Sequence, residues 1–302
     1  RLEWTVMRRL DGLLHGDYRT FFRGSGLDFA DLREYQFHDD VRHIDWNVTA
    51  RLATPYVREF NEERDLSAWF LLDLSASVDF GSTATRKSGV ASDLVAVLAR
   101  VLTRHGNRVG ALMYGHHVDT VIPPRSGRRH VLHLMHAMAS RAELERSAEH
   151  GTRLGELIDA ALAALKRRAL VFVVSDFVSA PGWQKPLAAL AQRHDVVAVR
   201  LYDPLEQELP DLGMMLVEDA ETGEQVFVDT HDARFRKRFA DIAARREGEL
   251  RAALAAAGVD ALELSTTDDL TEALLRFADL RKRRSQSSTA QRLPAHLAAV
   301  AR

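Results

Sequence analysis

Three short groups of oxygen-bearing side chains mark where this 302-residue chain could do chemistry. Asp73, Ser75 and Ser77 form Asp-x-Ser-x-Ser directly after the apolar run Trp69-Phe70-Leu71-Leu72, with Gly81 close behind. Thr152 follows Gly151, and Asp176 closes a second apolar run at 169–175. Carboxylates and hydroxyls are hard donors, the kind that hold Mg²⁺ or Mn²⁺, or Ca²⁺ when more oxygens gather. Each group also has an ordinary structural use. Asp-x-Ser-x-Ser alone is more often a capped turn before a helix, Thr152 alone an N-cap, and Asp176 alone a second cap. The chemistry therefore depends on whether the chain brings the three together.

The elements that must do so are legible in the apolar pattern. The runs ending at Asp73 and Asp176 read as strands buried on both faces. Val90, Leu94, Val97, Leu98, Val101 and Leu102 lie on one face of a helix that stops at Gly106. Residues 108–114 predict a second strand and 118–122 a third, ended by Pro123-Pro124. Helices follow over Val131–Met138-type and Leu154–Leu165-type spacings, then a helix at 186–192 and a strand at 196–202. Residues 214–217 and 225–228 predict a hairpin, before a long helix ending at Gly258, a strand at 261–264 and a helix through Phe277. Strands alternating with helices over 66–280 predict an α/β fold, a doubly wound and mainly parallel sheet of Rossmann type. Such sheets bind ligands beyond the carboxyl ends of their strands, where strand order reverses. A strand order of 3-2-1-4-5-6 would set Asp73 and Asp176 on adjacent strands, with Thr152 on the same edge.

Outside that domain the signals are weaker. Residues 1–65 predict a partly β extension packed on the main domain, with a short amphipathic helix around Val6, Leu10, Leu13 and Leu14 and a short strand at 54–60. Residues 281–302 open with Arg281-Lys282-Arg283-Arg284 and turn Ser/Gln-rich, predicting a basic, flexible tail with a solvated helix end. A net charge of −2 gives no overall attraction to nucleic acid, and the basic cluster has no stacking aromatics beside it. The absence of cysteine excludes disulfides and thiolate metal sites and suits a reducing, cytoplasmic setting. No apolar run approaches the roughly 20 residues of a membrane span, and no signal-peptide pattern is visible.

With those residues in place, a resemblance emerges. Asp73-x-Ser75-x-Ser77, Gly151-Thr152 and Ser175-Asp176 look like the three loops of the metal-ion-dependent adhesion site of von Willebrand factor A domains. Residues 24–51 resemble the narrower domain-of-unknown-function 58 family through Phe29, Leu32-Arg33-Glu34-Tyr35, Asp39-Asp40-Val41-Arg42, Ile44-Asp45-Trp46 and Ala50-Arg51. His38 stands where that family usually has Gly, and Val78 where Met often follows the second serine. The resemblance implies a von Willebrand-type domain without enzymatic activity that works with a MoxR-type AAA+ ATPase.

The expected function is a protein-binding, adaptor-like module. A divalent ion, Mg²⁺ or else Mn²⁺ or Ca²⁺, would sit among Asp73, Ser75, Ser77, Thr152 and Asp176, and a partner carboxylate would complete its shell. Repulsion between the two aspartates further predicts that Asp176→Ala stabilises the metal-free fold. Two enzymatic readings compete with this. Ser75, Asp176 and His194 have the chain order of an α/β-hydrolase triad, although Ser75 lacks the Gly-x-Ser-x-Gly elbow. A metal on Asp73 and Asp176 could also serve hydrolysis, but no general base is evident.

Overall fold

Strand β3 (Ser67–Asp73) forms the middle of the molecule because its residues are apolar without interruption up to the aspartate that ends it. A computed structural model of the chain describes residues 32–36, 44, 46–52, 54–58, 67–82, 84–140, 151–218 and 223–290. In it β3 lies between β4 (Arg108–Tyr114) and β6 (Leu170–Ser175), parallel to both. Beyond β6 come β7 (Asp195–Tyr202) and β10 (Asp260–Ser265), also parallel. Beyond β4 lies β5 (Val118–Arg125), the one antiparallel strand of the six. The order β10-β7-β6-β3-β4-β5 is the expected reversal, and it makes the strands ending at Asp73 and Ser175 neighbours.

Alternation along the central strands divides the core between two faces. Phe70 and Leu72 of β3 pack with Leu94 and Leu98 of α2 (Lys87–Arg104), Leu134 of α3 (Arg128–Ala139), and Leu274 and Phe277 of α7 (Leu270–Ala290). Trp69 and Leu71 face the other way. They join Leu154 and Leu157 of α4 (Leu154–Ala164), Leu187 and Leu190 of α5 (Gln184–Arg193), and Leu254 of α6 (Ala233–Ala256). Phe70 and Phe172 stack across the adjacent strands at 5.2 Å. With helices on both faces, the candidate site lies at the carboxyl end of the strands.

Two boundaries differ from expectation. Strand β5 continues through Pro123 and Pro124 to Arg125. It is an edge strand, and its register shifts where the prolines face Gly110, between the pairs Ala111↔Ile122 and Val109↔Arg125. The missing N–H groups thus fall at a bulge. Gly110 is needed there: a Cβ would come within 2.9 Å of the Ile122 carbonyl oxygen and 3.0 Å of the Trp69 ring. The tail expected to begin at Arg281 instead starts as a continuation of α7, which runs to Ala290. Arg281 is buried, not a solvated helix end, and bonds Asp195 at 2.7 Å and Asp260 at 3.0 Å.

Two small sheets flank the main one. Strands β1 (Leu32–Glu34) and β2 (Tyr56–Arg58) pair antiparallel around a short helix, α1 (Trp46–Leu52), which the aperiodic sequence there did not suggest. The expected helix near Val6–Leu14-type positions and the Asp39-Asp40 pair lie outside the described residues. Strands β8 (Met214–Glu218) and β9 (Gln225–Asp229) form the predicted hairpin, with Met214 and Phe227 largely exposed. No helix among the described residues is long and apolar enough to cross a membrane.

Candidate metal centre

The backbone leaves β3 through a turn built by its own acidic residue. Leu74 donates its N–H to the Tyr114 carbonyl at 2.8 Å, the last bond to the sheet. Asp73 Oδ1 then accepts the N–H of Ser75 at 3.1 Å and its hydroxyl at 2.7 Å. A single 3-10 turn, Ala76–Asp79, follows. Ser75 stands at its N-cap position but makes no capping bond, so the plain capped-turn reading does not describe this serine. Its one proton is committed to Asp73, and in the 3.2 Å contact between the two hydroxyls Ser77 is therefore the donor. Ser75 and Ser77 are both buried, with their hydroxyl oxygens side by side. Gly81 lets the chain fold back tightly: a Cβ there would lie 2.5 Å from the Thr85 carbonyl oxygen.

The neighbouring strand supplies the rest. Ser175, the last residue of β6, donates its hydroxyl to Asp73 Oδ2 at 2.6 Å and accepts the Phe177 N–H at 2.9 Å. Asp176 Oδ1 accepts the Val178 N–H at 2.9 Å, so this carboxylate turns its own loop and caps no helix. Between them Phe177 adopts φ +60°, a left-handed conformation costing a non-glycine residue about 1–3 kcal/mol. Its buried ring meets Trp183 edge-on at 5.5 Å, packing that offsets the strain and holds the loop shape. Thr152 is buried on the same edge. Its carbonyl accepts from the Ser179 hydroxyl at 3.0 Å and from Ala180 N–H at 2.9 Å. The helix behind it is flanked by Arg153 at the N-cap, so Thr152 is not the cap. Tyr114, opposite Asp73 in register, accepts the Arg153 N–H on its hydroxyl and ties that loop to β4.

The electrostatics are uneven. Burial, then the charge of Asp176, pushes Asp73 up to about 6, against the opposing hydrogen bonds from Ser175 and Ser75. Asp73 is fully buried and held only by neutral donors. Asp176, by contrast, has a cation. Lys87 Nζ bonds Asp176 Oδ2 at 2.8 Å and Glu206 Oε1 at 2.6 Å. Burial lowers the Lys87 pKa, but the charges of Asp176 and Glu206 more than reverse this and leave it raised. The repulsion expected between the two aspartates is present, but Asp176→Ala would also strip a buried ammonium of one of its two carboxylates, which opposes the expected stabilisation of the metal-free fold.

Lys87, Glu206, Ser175 and Tyr114 complete the environment, and sequence reasoning gave the first two no role. One signal was present. A lysine opening a helix opposes the helix dipole, whose positive end lies there, so its ammonium needs anions elsewhere. Which anions those are depends on strand order.

Of the expected residues, Asp73, Ser75, Ser77, Thr152 and Asp176 all lie at the carboxyl edge. His194 does not join them. It precedes Asp195, the first residue of β7, which pairs with Leu170 at the amino end of β6. The six residues of β6 separate it from Asp176, so the Ser75-Asp176-His194 triad is not assembled. His194 is buried with neither ring nitrogen hydrogen-bonded.

The donor set fits a hard divalent ion. The Ser75 and Ser77 oxygens stand 3.2 Å apart, close to the ~3.0 Å edge made by two adjacent ligands of an octahedral ion with bonds of ~2.1 Å. Asp73 and Asp176 bring two negative charges to this edge, and Lys87 and Glu206 form an ion pair beside them. Among the described residues no three His, Asp or Glu side chains converge as a ligand group, so any ion here relies on the hydroxyls.

Comparison with known proteins places the chain among relatives. The family model described as "Protein of unknown function DUF58" matches residues 31–249. The uncharacterized protein Mb1516 of Mycobacterium bovis is 36% identical over 284 residues, covering 93% of this chain and 88% of the relative. Among solved structures, the conserved hypothetical protein BatB of Bacteroides thetaiotaomicron is similar at 14% identity and a TM-score of 0.46, covering 72% of this chain and 99% of that one. The SpRpn10 VWA domain is similar at 15% identity and a TM-score of 0.37, covering 70% and 94% respectively.

Proposed function

Since the chain belongs to the DUF58 family, we propose that it is a non-enzymatic protein-binding module whose contact with its partner is made through a divalent metal ion. The observation that carries this is the state of Asp73: fully buried, raised to about 6, and held by oriented hydroxyls with no cation of its own among the described residues. A bound Mg²⁺, or Mn²⁺ in its place, supplies a Lewis-acidic point that accepts a carboxylate from outside. Ser75 and Ser77 would hold it directly and Thr152 directly or through water. Asp73, whose two oxygens already accept three bonds, orients Ser75 and leaves the hydroxyl lone pairs free to face the ion. Asp176 adds charge at the other side.

A first shell rich in neutral oxygens leaves the ion positive, so an acidic side chain is the natural closing ligand. The partner suggested by the family resemblance is a MoxR-type AAA+ ATPase. The test is capture of a purified ATPase of that type by the immobilised protein in Mg²⁺ and in EDTA. Capture in Mg²⁺ that is lost in EDTA and in Asp73→Ala supports the reading. Equal capture under all three conditions overturns it.

A further inference from the structure

Lys87 is a charged group buried beside the site, and its position owes nothing to a metal. It opens α2 directly behind the 81–86 loop, and its backbone N–H donates to the Phe80 carbonyl at 2.9 Å. The ammonium lies between Asp176 on the site and Glu206 on the turn after β7. That turn is itself fixed. Glu206 Oε2 accepts the Asp203 N–H at 3.0 Å, and Asp203 Oδ1 accepts the Leu205 N–H at 2.9 Å. Asp203 Oδ2 accepts from Ser82 N–H at 2.9 Å and from the Thr266 hydroxyl at 2.7 Å. Glu206 is therefore held from behind by bonds reaching three separate segments, and it in turn sets where the ammonium stands. Lys87 itself is 1% exposed, so solvent does little to screen its charge from the space beside Asp176.

Resting on the metal reading above, we infer that Lys87 is a resident cation that limits how tightly the site holds its divalent ion, and that Glu206 tunes it from the far side. Two aspartates alone would match the charge of the ion. Lys87 withdraws part of that match by claiming Asp176 Oδ2 and by repelling the ion across a short, poorly screened distance. Glu206 partly cancels Lys87, and being 32% exposed it does so with a weaker field. The two side chains touch each other and yet act on the ion with opposite signs. A purely structural role for the pair predicts instead that losing either member loosens the Asp176 loop and weakens the ion in both cases.

The experiment is calorimetric titration of the full chain with MgCl₂, repeated with MnCl₂, alongside the shift in melting temperature. Lys87→Met should bind the ion at least about tenfold tighter than the unsubstituted protein, because a buried unit charge bonded to Asp176 is removed. Glu206→Gln, whose amide oxygen can still accept from Asp203, should bind it roughly two- to fivefold weaker. Lys87→Arg keeps the charge and should stay within about threefold of the unsubstituted protein. Should Lys87→Met fail to fold without metal, Lys87→Gln decides the sign: its neutral amide can still donate to Asp176, and it should bind the ion tighter than the unsubstituted protein, which a structural role does not predict. Binding by the unsubstituted protein with Lys87→Met unchanged or weaker, with Lys87→Arg as tight as Lys87→Met, or with Glu206→Gln unchanged or tighter, overturns the role of Lys87 alone. No heat and no melting shift in the unsubstituted protein overturns the metal reading, and this inference with it.

Discussion

At the amino end of the sheet, Arg281 of α7 reaches Asp195 at the start of β7 and Asp260 at the start of β10. Those carboxylates keep 13% and 22% of their side-chain surface, and a guanidinium lies between them. At the carboxyl end, Asp73 is sealed from water and surrounded by Ser75 and Ser175, donors that orient its charge without neutralising it. Its nearest charged neighbour is another aspartate, whose lysine is shared with Glu206. Both ends bury charge, but the carboxyl end surrounds a sealed carboxylate with neutral donors where the amino end supplies a guanidinium. A bridged carboxylate pair is a structural tie. A carboxylate aimed by neutral donors, with two hydroxyls 3.2 Å apart beside it, is a candidate site.

That contrast can be broken at either end. The largest effect is expected at the structural one. Arg281→Met leaves two carboxylates facing each other and should cost about 3 kcal/mol of stability. Chemical denaturation should show the same loss in Mg²⁺ and in EDTA; a loss that Mg²⁺ repairs would mean that the two ends are coupled. Next is the carboxyl end with metal. At a hundredfold excess over its dissociation constant, Mg²⁺ should stabilise the unsubstituted protein by about 2.7 kcal/mol and Asp73→Ala not at all. Ser75→Ala should lose only part of this gain, since water can replace one neutral ligand.

The acid response sharpens the comparison, because the two ends should move oppositely. Asp73 rises from 3.8 to about 6 on folding without metal, so between those values the folded state holds the extra proton. In EDTA its contribution is full below pH 3.8 and is lost as pH rises through about 6. Asp73→Asn should flatten that slope, and Mg²⁺ should reverse the loss above pH 6. A slope in EDTA that survives Asp73→Asn would assign it to another group.

The smallest effect belongs to His194. Burial, then Arg193 and Arg168, lower its pKa below the ordinary 6.5, so its contribution is full above pH 6.5 and is lost as pH falls through the depressed value. His194→Leu should make the acid limb shallower near and below that pH while leaving Mg²⁺ binding untouched. An unchanged acid limb in equilibrium denaturation would remove His194 from the account.

Local sequence was enough for the elements themselves. Apolar runs ending in Asp73 and Asp176 read as buried strands, and the three-and-four spacing of Leu94, Leu98 and Leu102 as a helix face, because backbone geometry imposes those periods wherever a core exists. Alternation of the two then implied a parallel sheet and a site at its carboxyl edge. Tertiary structure decided the partners. Lys87 reads as a surface residue until strand order brings it to Asp176, 89 positions away, and Arg281 reads as tail until α7 packs it between β7 and β10. His194 reads as a triad member until the direction of β7 puts it at the wrong end. Even Pro123 and Pro124 stop a strand only if it is central, and edge position is a property of the sheet. Periodicity is a local consequence of the backbone. Charge compensation depends on distances between segments remote in sequence, and those distances exist only once the strands are ordered.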